Sequence, residues 1–141
     1  MPFVAEASIV LDVPPEVAFD KLADHASWHA WMPATFRPQG RSRGNLKKGD
    51  KLSVRIARMP FASPIKVYVV DRPGEITWGG RVPGVIGARH RFLFEAEGKG
   101  TRVRSVETWE GPLDRVLRRV IKPLAEKIGG EQLAALKNAL G

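Results

Sequence analysis

Two ionisable residues, His90 and Glu107, lie on runs whose alternation sends them to the same side of a sheet. In the run Ala88 to Glu97, the set His90, Phe92, Phe94 and Ala96 is apolar apart from the histidine, and Arg89, Arg91, Glu95 and Glu97 take the other parity. Successive side chains of a strand point to opposite faces, so the first set faces inward. In the next run, Val103, Ser105, Glu107 and Trp109 share a face opposite Arg102, Arg104, Thr108 and Glu110. Gly98-Lys99-Gly100 joins the two runs as a tight hairpin. The strands are therefore neighbours, and His90 and Glu107 point into one interior. A carboxylate among apolar residues must be paired, hydrated or protonated, because a lone buried charge is too costly. Desolvation would raise the pKa of Glu107, and a protonated His90 would lower it. One reading is a polar anchor, or an acid/base pair, at the floor of an apolar pocket. The other is a buried His–Glu hydrogen bond, or a water-filled corner, with no ligand role.

Other chemistries leave no signature. With no cysteine there is no disulfide, thiolate nucleophile or thiolate metal site, which suits a reducing cytoplasm. Gly79-Gly80 and Gly84-x-x-Gly87 do not precede a helix, so they do not form a phosphate loop. His25 and His29 have the four-residue spacing of helical metal ligands, but no glutamate follows His25 and no third ligand is evident. They are read as exposed helix residues. No Gly-x-Ser-x-Gly elbow is present. The expectation is a protein without metal or cofactor.

The elements that must position the pair follow from periodicity and turn residues. Phe3 to Asp12 alternates as a half-buried strand. Pro14-Pro15-Glu16 then opens a short helix, and Asp24 is expected to cap a second, His25 to Trp31, which ends before Pro33. Turns at Lys48-Gly49-Asp50, Pro60 to Pro64, Arg72-Pro73-Gly74, Pro83-Gly84 and Gly98-Lys99-Gly100 separate five strand-like runs between Lys51 and Gly111. A ragged strand near Thr35 to Ser42 brings the expected number to seven. Short connections make consecutive strands antiparallel. Leu117, Val120, Ile121, Leu124 and Ile128 open a long last helix that Leu133, Leu136 and Leu140 continue. Pro123 should kink it, and Gly129-Gly130 should thin it and leave room beneath.

These faces supply walls for the pair. Trp78 and Trp109 fall on inward strand faces, and Trp28 on the helix pair. Leu52 and Val54 belong inward as well, opposed by Leu117, Ile121 and Leu124 of the last helix. The candidate ligand-binding set is Trp28, Leu52, Val54, Trp78, His90, Phe92, Glu107, Trp109, Leu117, Ile121 and Leu124, with Glu107 and His90 the candidates for catalysis. The Gly- and Pro-rich loops Arg58 to Pro64 and Pro83 to Gly87 carry Phe61, Val85 and Ile86, and read as gates.

At 141 residues, 43% hydrophobic and 27% charged, the chain reads as one globular domain over residues 1–141. Its first residues carry no basic leader, and no apolar run is long enough to span a membrane. The expected setting is cytoplasmic, as a monomer or homodimer. The net charge of +8 gathers between Arg37 and Arg58, where Arg37, Arg41, Arg43, Lys47, Lys48, Lys51, Arg55 and Arg58 face only Asp50. Such a patch attracts an anionic partner or simply solvates the surface. No aromatic interleaves Arg41 to Lys51, so nucleic acid is not the expected partner.

The stretch VPPEVAFDKLADHASWHAWMP resembles the opening of the START-related polyketide cyclase/dehydrase and lipid-transport superfamily, often called SRPBCC. There a Pro-Glu-x-Val helix start leads to a segment whose key positions are matched here by Asp24, Trp28, Trp31 and Pro33. Downstream, Trp78-x-Gly80, Gly87-x-x-His90-x-Phe92, Gly100-Thr101-x-Val103, Glu107 and Gly111 resemble the last three strands of the same family. The resemblance covers nearly the whole chain. It implies an α+β helix-grip fold, with a curved seven-stranded antiparallel sheet, two short helices and a long C-terminal helix over an internal cavity. The fold hosts many functions. The first expectation is binding of a small hydrophobic or aromatic ligand such as a lipid or polyketide. Its rivals are a cyclase or dehydratase using Glu107 and His90, and a basic module docking on an anionic macromolecule through Arg37 to Arg58. A second polar group converging on the cavity, such as Tyr68 or an inward arginine, would favour the enzyme.

Overall fold

The computed structural model describes residues 3–41, 44–82, 86–111 and 114–141, with backbone only for 82, 86 and 114–117. The chain runs β1 (Phe3–Leu11), α1 (Pro15–Ala23), a 3-10 turn (His25–Ser27), α2 (Trp28–Trp31), β2 (Phe36–Gln39), β3 (Lys51–Ile56), β4 (Ser63–Asp71), β5 (Glu75–Val82), β6 (Ile86–Glu97), β7 (Gly100–Glu110) and α3 (Asp114–Ala139). The strands form one antiparallel sheet in the order β1-β7-β6-β5-β4-β3-β2. This is the expected helix-grip arrangement: consecutive strands from β2 to β7 are hairpin neighbours, and β1 closes on β7. Pro38 sits on the edge strand β2, where its missing N–H disrupts no inner ladder.

Close backbone approach explains Gly79, which lies between the motif residues Trp78 and Gly80, and the motif glycine Gly100. A Cβ on Gly79 would overlap the Ala88 carbonyl across the β5–β6 ladder, and one on Gly100 would overlap the Leu11 carbonyl of β1. Beside Gly100, the Thr101 hydroxyl donates to the Val13 carbonyl at 2.7 Å, and Val103 is fully buried. The motif thus ties the start of β7 to the end of β1.

The helix pair differs from expectation in detail. Pro15 stands at the start of α1, as proline's fixed φ favours. Asp24 makes no side-chain cap; its carbonyl accepts a bond from the Ser27 hydroxyl, and it forms an isolated β-bridge with Asn45. That bridge pins Asp24 to the β2–β3 connection instead of to the helix start. His25 is buried, not exposed, with its ring edge-on to Trp28 at 4.8 Å, whereas His29 is exposed. No cluster of three metal-ligating side chains occurs among the described residues.

Helix α3 is continuous through Pro123, which lies on its exposed side, and packs mainly on β1 and β7. Its buried face is Ala125, Ile128, Gly129, Gln132, Leu133 and Leu136. Leu124, expected to oppose Leu52 and Val54, is instead 36% exposed, and Val120 is 64% exposed. The reason is position: α3 starts where β7 ends and runs back over β7 and β1, so β3 does not lie beneath Leu124. The side chain of Leu117 lies outside the described residues, and Ile121 is half-buried. Gly129 does not leave room under the helix. A Cβ there would come within 3.0 Å of Ser105 Oγ, so the glycine lets the helix seat directly on β7.

Gly130 has open space where a Cβ would go. Gly130→Ala should therefore raise stability by about 0.5–1 kcal/mol through helix propensity. Gly79→Ala should lower it by about 1–3 kcal/mol through overpacking against the Ala88 carbonyl. Urea midpoints of the two variants check the pair; equal effects would mean the β5–β6 contact is not as close as described.

Candidate functional site

The register of the sheet lines up one inward row across five strands. Ala5 pairs with Glu107, Glu107 with His90, His90 with Trp78, and Trp78 with Val67. The neighbouring rows hold Ser105 beside Phe92, and Trp109 beside Phe3. The hairpin therefore does bring His90 and Glu107 together on the concave face. Ala96, at the far end of the same strand, is exposed near the hairpin turn.

Aromatic side chains wall this row. Trp78 is the hub, with ring centroids 5.2 Å from Trp28, 5.9 Å from Phe36, 4.9 Å from Phe92 and 5.7 Å from His90. The His90 ring stacks on Phe92 at 4.2 Å. Trp28 is fully buried and its indole N–H donates to the Leu22 carbonyl at 2.8 Å, which ties α1 to α2. Leu52 and Val54 are buried in the same core. Trp109 is half-buried and parallel to Phe3 at 6.3 Å.

The polar atoms on this face are incompletely paired. His90 Nε2 lies 2.6 Å from Ser105 Oγ, a strong hydrogen bond whose direction depends on the ring tautomer. His90 Nδ1 is 3.9 Å from Glu107 Oε2, beyond hydrogen-bond reach. Burial pushes the imidazole pKa from 6.5 down to about 3, so the ring is neutral. Burial pushes the Glu107 carboxyl from 4.5 up to about 7, with the Trp109 indole N–H pulling the other way. A neutral His90 offers Glu107 no compensating charge, unlike the protonated ring weighed from sequence. Trp109 Nε1 is buried and approaches the Glu107 carboxyl without reaching full hydrogen-bond geometry, so the contact is a weak one. Both amide atoms of Gln132, which is 2% exposed on the inner face of α3, have no hydrogen-bond partner among the described residues. Each unmade bond of this kind costs about 1–3 kcal/mol in a dry interior.

Gln132 and Ser105 were not singled out from sequence as site residues. Helical spacing from Ile128 to Leu136 carried the signal for Gln132, a polar residue in the middle of an apolar stripe. Tyr68, weighed as an inward polar group, faces the other way. Its ring lies 4.2 Å from the Arg89 guanidinium and 5.9 Å from Lys66 Nζ, both exposed on the outer face. In the basic segment, Arg37 is half-buried and donates to the carbonyls of Met32 and His29, so it serves the helix pair. Arg41, Lys47, Lys48, Lys51, Arg55 and Arg58 are exposed; Arg43 lies outside the described residues. Of the two expected gates, Met59 and Phe61 are exposed, and Pro83, Gly84 and Val85 lie outside the described residues. No helix is long and apolar enough to cross a membrane.

The family model for polyketide cyclase / dehydrase and lipid transport matches residues 2–141. The chain belongs to this family. No curated protein sequence matches the chain. Among solved structures it is similar to the KanY protein, at 14% identity and TM-score 0.77, covering 99% of this chain and 98% of that one. It is also similar to TTHA0849 from Thermus thermophilus, at 17% identity and TM-score 0.70, covering 96% and 95%. A third is DynU16, a putative protein in the dynemicin biosynthetic locus, at 10% identity and TM-score 0.70, covering 97% of this chain and 46% of that one. At such identities the likeness is one of fold. The family supports a ligand-binding or cyclase role and does not choose between them.

The two shifted groups set opposite pH trends. The Glu107 contribution is complete below about pH 4.5 and lost as pH rises to about 7, because the folded state holds a proton that the unfolded chain releases. The His90 contribution is complete above 6.5 and lost as pH falls toward about 3. Between 4.5 and 6.5 they cancel. Relative to the parent, Glu107→Gln should gain stability as pH rises from 4.5 to 7, by up to about 1.4 kcal/mol per pH unit. His90→Phe should gain as pH falls from 6.5. Urea midpoints across this range check both, and profiles parallel to the parent's would refute the shifts.

Proposed function

We propose that this protein binds a small, flat, largely apolar molecule between the concave sheet face and α3. The polar end of that molecule is held at Glu107, His90 and Trp109. The observation that carries this reading is a set of buried polar groups, Glu107, Trp109 and Gln132, that are unpaired or poorly paired among the described residues, beside an aromatic wall. A core built for stability alone would pair or omit them. Trp28, Leu52, Val54, Trp78 and Phe92 are the proposed walls, and they order an apolar ligand through stacking and area burial. Glu107, poised near neutrality, either accepts from a ligand or, when protonated, donates to one.

A second reading is favoured by that same poise. A carboxyl with a pKa of about 7 is suited to moving protons at physiological pH, as a cyclase or dehydratase acting on a polyketide-type substrate requires. In this reading Glu107 is the acid/base, and His90 is a neutral partner held by Ser105. The connectivity Ser105–His90–Glu107 also has the order of a nucleophile, a base and its orienting carboxylate. It does not make a hydrolase. Ser105 is 3% exposed with Gly129 seated on it, so a carbonyl cannot approach the hydroxyl, whose work is to fix the ring.

A hydrophobic fluorescent probe is expected to bind the folded protein with 1:1 stoichiometry and to quench its tryptophan emission. A folded protein that ignores a broad panel of such probes would defeat the binding reading. Glu107→Gln separates the two roles. For an anchor, affinity should fall by about 1–3 kcal/mol with altered pH dependence. For an acid/base, affinity for the substrate should hold while its turnover is lost. Unchanged affinity and unchanged turnover would remove Glu107 from the site.

A further inference from the structure

A glutamine stands at the centre of the buried face of α3. Ala125, Ile128, Gly129, Leu133 and Leu136 are buried around it, and helical spacing sets Gln132 in their midst. Its side chain is 2% exposed, and neither Nε2 nor Oε1 has a hydrogen-bond partner among the described residues. An interior amide with both ends unmade is a standing cost to the fold. A leucine would fill nearly the same volume without it.

Two neighbours on the helix determine where this amide points. Gly129, one turn earlier, rests on Ser105 of β7. Glu131 Oε2 accepts the Thr35 hydroxyl at 2.7 Å, just before β2 begins. In the sheet, β2 is one edge and β7 lies next to the other. The Gln132 side chain leaves the helix between these two bearings. Its neighbours Ile128, Leu133 and Leu136 belong to the same core cluster as Trp28, Phe36, Trp78 and Phe92, so the amide is buried on the side of the helix that faces this aromatic core.

A primary amide presents a donor and an acceptor side by side in one plane. The group that satisfies both at once offers an acceptor beside a donor, also in one plane. It must be neutral, because an amide supplies no counter-charge for an ionic end in a dry interior. An aromatic wall selects for a flat molecule to carry it. We propose that Gln132 reads the ligand, pairing its amide with a flat, neutral edge that bears a donor next to an acceptor, as in a cyclic amide. This rests on the reading that the interior accepts a ligand, and it adds the chemical class and the residue that selects it.

The test uses 2-quinolinone, which carries the edge, 1-methyl-2-quinolinone, which lacks its donor, and naphthalene, which lacks the edge altogether. Binding to the full chain is followed by tryptophan fluorescence and calorimetry. The parent should bind 2-quinolinone about ten-fold or more tighter than the methylated probe, the penalty for leaving a buried polar group unpaired. Gln132→Leu should bring that ratio to about one, keep naphthalene binding, and raise the melting temperature of the free protein. Should the leucine variant fail to fold, Gln132→Met takes its place. The proposal is overturned if the parent binds both quinolinones equally, or if the variant keeps the preference. It is also overturned if the variant melts lower, since the amide would then be holding the fold through internal water. When naphthalene binds in any of these cases, the ligand-binding reading survives alone. If no probe binds, naphthalene included, both readings fall together.

Discussion

Helix α3 can lie on the sheet at its observed depth because position 129 has no side chain. A Cβ there would stand 3.0 Å from Ser105 Oγ, so the hydroxyl or the helix would have to give by a few tenths of an ångström. Ser105 in turn holds the His90 ring at 2.6 Å. One residue, Ser105, therefore meets the helix and orients the imidazole. The shifted protonation of His90 and Glu107 follows from their burial beneath this packing, the first cause in both cases. So does the isolation of the Gln132 amide on the same helix face.

The aromatic wall converts this seat into a shaped interior. Trp28 is anchored by its own indole hydrogen bond, and Trp78 contacts four rings at once. Rings held from several sides lose little further freedom when a flat molecule joins them, which favours binding by preorganisation. The polar row lies beside this wall, so apolar and polar groups are supplied by different residues of one surface.

The two faces of the sheet treat charge in opposite ways. On the convex side, Arg104 bridges Glu6 and Glu95, Arg102 pairs with Glu97, and Arg91 pairs with Glu75. These pairs are at least partly solvated and individually contribute little to stability; they occupy four of the fifteen acidic residues of the chain. The excess of positive charge is left to segments such as Lys47 to Arg58. On the concave side the Glu107 carboxyl has no cation close enough to satisfy it among the described residues, and burial raises its pKa to about 7 instead. The same residue type is a surface tether outside and a carboxyl with a raised pKa inside, because the inner face is the more deeply buried.

Alternation and turn chemistry were enough to determine the order of elements, the antiparallel pairing and the shared face of His90 and Glu107. These depend on a period of two and on short connections, which are local properties of the chain. The family resemblance added the closure of the sheet around a helix. Distances were beyond its reach. Whether His90 and Glu107 touch, and whether Gly129 opens a space or closes one, depends on where α3 lands relative to β7. That is a long-range packing outcome with no local signature. Leu124 was misplaced for the same reason, since spacing gives a helix its stripe but does not say which strand lies beneath each turn. Gln132 shows the division most clearly. Its place in an apolar stripe was legible from the spacing of Ile128, Leu133 and Leu136. That its amide ends buried and without a partner among the described residues was decided only by tertiary structure, because burial and hydrogen bonding are set by the strands and helices that close over it.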